Sequence, residues 1–184
     1  MDATSQVEIR PARVTDAAGL LAAINSVASE KWFLATINFS AEEVRAFVQQ
    51  SVESAMPHFV ACHGVDIVGW CDIMPGKTAS GFGHVGRLGM GVTRDWRRQG
   101  LGRRLLETCL RAAPAAGLEK IELEVYPENE PAMRLYQSFG FAQEGVRARA
   151  RKLEGRYQDI MLMALWVDGM YPNALPLGDP GPGP

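Results

Sequence analysis

The chain has little cysteine, no long apolar run and almost no net charge. Its three cysteines, Cys62, Cys71 and Cys109, have no metal-site spacing and lie in apolar runs, so buried, reduced thiols and no metal are expected. No apolar stretch approaches membrane-spanning length, and the first ten residues, MDATSQVEIR, lack the apolar segment of a signal peptide. A soluble, cytoplasmic protein with no membrane partner is therefore expected. The net charge of −2 gives no global case for nucleic acid. Two local basic patches exist, at 94–104 and 147–156, but no aromatic platform accompanies them.

At 184 residues and 47% hydrophobic composition the chain can bury a sizeable core as one domain. That domain is placed at residues 1–170. Residues 171–184 are rich in proline and glycine and read as a tail that cannot build a core.

The order of elements follows from periodicity. Residues 7–10 alternate as a strand closed by Pro11, and Thr15 or Asp16 can cap a helix carrying Leu20, Leu21, Ile24 and Val27. Ser40 and Glu43 form a capping box for a second helix with Val44, Phe47 and Val48 inward. A hairpin is expected from 58–62 and 67–74. Beyond a strand at 84–92 comes a helix with Leu101, Leu105, Leu106, Cys109, Leu110 and Ala113 on one stripe, ended by Pro114 and Gly117. Residues 121–125 alternate, 132–139 form a short helix opened by Asn129-Glu130-Pro131, and 141–147 with 157–166 make a final strand pair. Strands interleave with helices and two hairpins interrupt them. A mixed sheet with helices on both faces is expected.

The chain is organised around residues 88–107, LGMGVTRDWRRQGLGRRLLE. Leu88, Met90 and Val92 share one face of a strand, with Gly89 and Gly91 on the other, where small residues let another extended group approach. An arginine-rich turn then enters a helix at Gly100. Unpaired amides and the positive helix end make such a turn a seat for phosphate, and Arg97, Arg98, Arg103 and Arg104 add charge. A Walker loop is excluded because Arg103 and Arg104 stand where Lys and Ser or Thr are needed. A dinucleotide fingerprint is excluded because Arg97-Arg98-Gln99-Gly100-Leu101-Gly102 is not G-x-G-x-x-G.

That R-x-x-G-x-G turn resembles the coenzyme A pyrophosphate loop of the GNAT superfamily of N-acetyltransferases. A second motif agrees with it: Asn129-x-x-Ala132-x-x-Leu135-Tyr136-x-x-x-Gly140-Phe141 resembles the second half of that family's cofactor site, in the same order along the chain. The resemblance is strong over 85–165 and rests on element order alone before that. It implies an α/β (α+β) fold with a mixed, mostly antiparallel sheet of six or seven strands, acetyl-CoA as co-substrate, and a homodimer as in many relatives.

The resemblance also implies roles. Strand amides of Met90, Gly91 and Val92 would pair with the pantetheine arm, and Arg97, Arg98, Gln99, Gly100, Leu101, Gly102 and Arg103 would hold the pyrophosphate, with Asn129 on the arm. Close cofactor approach is expected to explain Gly89 and Gly91, ahead of helix packing. An attacking amine must lose its proton, an oxyanion needs a donor, and the departing thiolate benefits from an acid. Because the organising strand has no carboxylate, the base is placed at Glu124, matching a glutamate of the ribosomal-protein N-terminal acetyltransferases; pairing with a nearby arginine is its bland alternative. Tyr136 would be the acid. For the acceptor, Glu30, Trp32, Asp72 and His84 are the expected contacts, with Arg87, Arg149 and Tyr157 as further polar candidates. The expected activity is acetylation of a small-molecule amine or amino acid. A protein N-terminus is the main alternative, and a non-catalytic acyl-CoA-binding module on the same fold is the second.

Overall fold

The computed structural model describes residues 7–31, 33–34 and 39–167. Trp32 and the expected tail at 171–184 lie outside the described residues. Seven strands form one sheet in the order β1-β2-β3-β4-β5-β7-β6, and four helices cover it. The strands are β1 (Val7–Pro11), β2 (His58–His63), β3 (Asp66–Pro75), β4 (Val85–Val92), β5 (Lys120–Val125), β6 (Ala142–Leu153) and β7 (Arg156–Trp166). The helices are α1 (Ala17–Ala28), α2 (Ala41–Glu53), α3 (Leu101–Ala112) and α4 (Glu130–Ser138). All neighbouring strands are antiparallel except β4 and β5. No helix among the described residues is long and apolar enough to cross a membrane.

Alternation along the strands divides the core in two. Leu20, Ile24 and Val27 of α1 with Val44 and Val48 of α2 cover Val60, Ile67 and Trp70 on one face. On the other face Leu101, Leu105, Leu106 and Cys109 of α3, joined by Tyr136 of α4, cover Cys71, Ile73, Ile121 and Leu123. All three cysteines are free and buried. Ser40 and Glu43 form the expected capping box of α2. Asp16 behaves differently. It precedes α1 but its carboxylate does not cap that helix; it accepts from Arg13 N–H at 2.7 Å, capping the short turn 14–16, and pairs with the Arg10 guanidinium at 2.7 and 2.8 Å.

The last hairpin extends well past the expected residue 147. Residues 148–151 alternate alanine with arginine, an apolar signal of methyl groups only, and the pairing of 151–153 with β7 establishes the strand. The ladder is interrupted between Arg147 and Arg151 by a bulge, in which Arg149 takes a positive φ of 51° and donates its N–H to Asp159 Oδ1 at 2.7 Å.

The arrangement that matters most lies between β4 and β5. They pair only from Val85 to Arg87 against Lys120 to Glu122, and then part, although β5 stays on β7 through Val125. Thr93 N–H bonds Val68 on the β3 side. Strand alternation therefore turns the amides of Met90 and Val92 into the gap and that of Gly91 toward β3. A side chain at Gly91 would fall inside the Trp70 indole, so that glycine is required by packing within the sheet. This corrects the expectation that cofactor approach explains it.

Gly91→Ala should destabilise by about 1–3 kcal/mol through overpacking. Gly145→Ala, where a Cβ would meet nothing nearer than Leu162 at 3.9 Å, is the control. Thermal melting of both variants checks this, and equal midpoints would contradict it.

Candidate active site

The gap continues into a crevice of about 580 Å³ lined by residues from β4, β5, α4, the turn before α3 and the end of α1. The turn follows from its own sequence. Gly100 precedes α3 at φ 76°, a conformation open to glycine at little cost, and Arg98 holds φ 62° two residues earlier. Arg104 is the first residue to bond back into the helix, to Gly100 O at 3.1 Å, so the amides of Leu101, Gly102 and Arg103 precede the ladder. Arg98, Gly100, Gly102 and Arg103 line the crevice. Arg103 is steadied by Ser138 Oγ at 2.8 Å and by the Phe139 ring. Three leading amides, a helix N-terminus and two arginines converge, which fits a diphosphate. Leu101 contributes backbone alone, since its side chain is core. Gln99 turns its amide to Asp95 O at 2.8 Å and does not line the crevice.

Arg97 and Glu30 were assigned to different ligands by sequence, and the structure joins them to each other. Arg97 donates to both Glu30 oxygens and, through Nε, to Val92 O at 2.8 Å, and its guanidinium lies over the Phe33 ring. Arg94 also reaches Glu30 at 3.2 Å. These bonds hold the Glu30 carboxyl below its usual range. Glu30 is not among the residues lining the crevice, and its bonds make it a strut between the end of α1 and the arginine turn. His84 is corrected as well. It lies just before β4, at the opposite end from the gap, and its carbonyl accepts from Glu119 and Lys120. Arg87 closes the last β4–β5 pair, and Arg149 stacks on Tyr157 at 3.9 Å away from the crevice wall.

Glu124, Asn129 and Tyr136 all line the crevice. Glu124 is ion-paired with Arg147 of β6, the bland alternative open at the sequence level. Asn129 caps α4, accepting from Ala132 N–H at 3.3 Å. Tyr136 is 7% exposed, and burial raises its phenol well above the ordinary value, so the proton stays on oxygen at neutral pH. Sequence reasoning missed Val27, Phe33, Leu34, Tyr126 and Ile160 on the same wall. Tyr126 continues the parity of Glu122 and Glu124, a signal that could have found it. Its hydroxyl is buried without a partner among the described residues.

Asp72 sits on β3 directly across from Gly89, and both carboxylate oxygens lie 3.2–3.3 Å from where a Gly89 Cβ would be. It is 8% exposed, and burial pushes its carboxyl up to about 7. No donor among the described residues bonds it. On its other side stands His58, whose Nδ1 is 2.8 Å from Ser51 Oγ and whose pKa burial pushes down to about 4.

Fold and crevice together define a class, and comparison with known proteins gives the family. The model of the acetyltransferase (GNAT) family matches residues 24–141, and the chain belongs to that family. An L-amino acid N-acetyltransferase of Escherichia coli K12 is 32% identical over 114 residues, 57% of this chain and 65% of that protein. The [ribosomal protein bS18]-alanine N-acetyltransferase of the same strain is 36% identical over 74 residues, 40% of this chain and 50% of that protein. The chain thus spans less than two thirds of the length of these relatives. Among solved structures, a GNAT-family acetyltransferase from Streptococcus pneumoniae superposes with TM-score 0.80 at 30% identity, covering 87% of this chain and 99% of that one. A Salmonella typhimurium acetyltransferase solved with its cofactor acetyl-CoA gives TM-score 0.82 at 20% identity, over 88% and 94% of the two chains.

Burial of Asp72 makes a stability prediction. An exposed aspartate ionises near 3.8, whereas Asp72 stays neutral in the fold up to about 7. Stability is therefore lost progressively as pH rises through that window and levels off above it. Asp72→Asn should leave stability at pH 4 unchanged and raise it at pH 8 by about 2–4 kcal/mol. Subtracting the two proteins' melting curves cancels the opposite contribution of His58. A variant that melts lower at pH 8 would contradict the burial of an uncompensated charge.

Proposed function

We propose that the protein transfers an acetyl group from acetyl-CoA to the primary amine of a small molecule or amino acid by direct attack. The observation that carries this reading is the β4–β5 gap running into the amide-rich turn, with Glu124 and Tyr136 facing the same crevice. Acetyl-CoA would supply the activated thioester carbon. The first-turn amides of α3 with Arg98 and Arg103 would hold its diphosphate, and the gap-facing amides of Met90 and Val92 its arm. Asn129 lines the same wall. The Met90 or Val92 N–H would polarise the carbonyl. Glu124 would take a proton from the attacking nitrogen, and Tyr136, already protonated, would give one to the leaving sulfur.

A small acceptor is favoured over a protein N-terminus by one contact set. The tip of the β6–β7 hairpin is tied to the turn after α1, because Lys31 pairs with Glu154 and Arg151 donates to Lys31 O at 2.8 Å. So tied, the hairpin would leave less room for an extended peptide beside the crevice. The amino-acid specificity of the Escherichia coli relative points the same way.

The experiment is an acetyl-transfer screen over amino acids, polyamines, aminoglycosides and an alanine-initiated peptide, with thiol release and acetylated product both measured. Acetylated small amines support the reading. Thiol release without any acetylated acceptor would leave only thioester hydrolysis and sink it. In the same assay Tyr136→Phe should lower kcat by about 10²-fold with acetyl-CoA affinity little changed, whereas equal losses would make Tyr136 structural. Glu124→Gln should lower kcat by about 10²–10⁴-fold without abolishing turnover.

A further inference from the structure

No bond among the described residues accounts for Asp72. Its neighbours on the sheet supply the geometry. His58, Asp72 and Gly89 are successive cross-strand partners on β2, β3 and β4, so they share one face and one row. Arg87 is paired with Glu122 across the last β4–β5 rung, so two residues further along Gly89 and Glu124 begin that same row on either side of the gap. This is the face covered by α1, where Val27, Phe33 and Leu34 line the crevice.

Asp72 does not reach the crevice wall from β3 directly. Its carboxylate leans over the Cα of Gly89, which does line the crevice, and occupies the space that any other residue's side chain would fill. Gly89, which carries no side chain, is the crevice-lining residue beside that carboxylate. Across the gap stands Glu124 with its own counter-ion, Arg147. Glu30 likewise has Arg97 and Arg94. The ionisable groups facing Asp72 from the flanking strands, His58 on β2 and Arg87 diagonally on β4, make no bond to it, and no charged group of α1 or α2 among the described residues bonds it either. With neither donor nor counter-ion among the described residues, the carboxyl is ionised only at a cost when nothing occupies the site. A cation arriving with its own N–H groups offsets that cost.

We propose that Asp72 receives the acceptor amine, pairing with its ammonium form and taking the first of its protons. The proposal rests on the acetyl-transfer reading and deepens it by specifying that the acceptor enters as a cation, with an apolar stem against Val27, Phe33 and Leu34. It also resolves a problem of proton count. An ammonium must lose two protons to become an amide, one before attack and one as the carbon–nitrogen bond forms. In the first step the N–H bond breaks, the proton passes to an Asp72 Oδ, and the electron pair stays on nitrogen. That pair then forms the bond to the acetyl carbon as the carbon–sulfur bond breaks. The second N–H proton goes to Glu124, and the sulfur, holding the pair of the broken bond, takes the proton of Tyr136. Tyr136 recovers a proton from water, and Asp72 and Glu124 release theirs to it, leaving amide, thiol and one net proton.

Two measurements test Asp72. In the first, protein labelled with ¹³C at aspartate carboxyls and loaded with coenzyme A is titrated with n-propylammonium chloride. The resonance missing from Asp72→Asn identifies the group. A fall in its titration midpoint on adding the amine is expected, since a cation favours the ionised carboxylate. A midpoint that does not move overturns the proposal, whether or not an acceptor has been found. In the second, Asp72→Asn should lose about 10²-fold or more in kcat/KM for an acceptor identified by the screen, keep its affinity for acetyl-CoA by calorimetry, and lose the acid limb of the pH–rate profile. Activity within threefold of wild type would overturn it and leave acetyl transfer intact. A matching loss of acetyl-CoA affinity would also overturn it, by making Asp72 structural. Wild-type protein that acetylates no amine would instead defeat the acetyl-transfer reading, and the carboxyl titration would still judge Asp72.

Discussion

The structure depends on one broken pairing. From Val85 to Arg87, β4 runs with β5, and after that rung it does not, although each strand keeps its other neighbour. A parallel pair that ends early leaves strand amides without acceptors in the middle of a sheet, where the cost of an unmade hydrogen bond is highest. Those amides are therefore a site in themselves. What keeps the gap open is carried by side chains at its ends: Arg97 takes the Val92 carbonyl and pins it to Glu30, and Glu124 on the facing strand is held by Arg147.

The gap also sorts charge. Toward the start of α3 it meets unpaired amides, Arg98 and Arg103, a positive field suited to phosphate. Toward α1 it meets Glu124 and Gly89, with Asp72 the cross-strand partner of that glycine. A long substrate laid between these ends would have its anionic part and its reacting part separated by the sheet itself. The turn after α1 is tied to the tip of the β6–β7 hairpin through Lys31.

Much of this was legible in the sequence, and the boundary between legible and hidden is physical. Local chemistry was readable: the Ser40–Glu43 box, the α3 stripe, Gly100 at the helix start and the Asn129 cap all depend on neighbours within four residues. The seven-stranded, mostly antiparallel sheet followed from the family resemblance. Long-range ion pairs were not readable. Glu30 and Arg97 lie far apart in sequence, and their pairing was hidden because nothing local says that two charges will find one another; Arg97 still lines the crevice as expected. Gly91 was ascribed to the cofactor for the same reason, since the indole that demands it belongs to β3. His84 failed differently. Its place at the start of β4 was clear, but which end of the strand faces the ligand is decided by where β5 departs. The lengthened β6 was missed although Val146, Ala148 and Ala150 alternate with arginines, because alanine is a weak strand former and the run reads equally as a basic patch.

Asp72 joins both lessons. As a lone carboxylate in an apolar strand it was conspicuous in sequence, yet its meaning required the register that places Gly89 beside it. A carboxamide of the same shape would cost less to bury, and a larger residue at position 89 would press against the carboxylate. Folding alone therefore gains nothing from this pair. Elsewhere on the same face charges are matched, Glu124 with Arg147 and Lys120 with Glu122 and Glu144. Among the described residues Asp72 alone on this row has neither donor nor counter-ion, so the fold holds it as a neutral acid that only a cation from outside the chain would ionise.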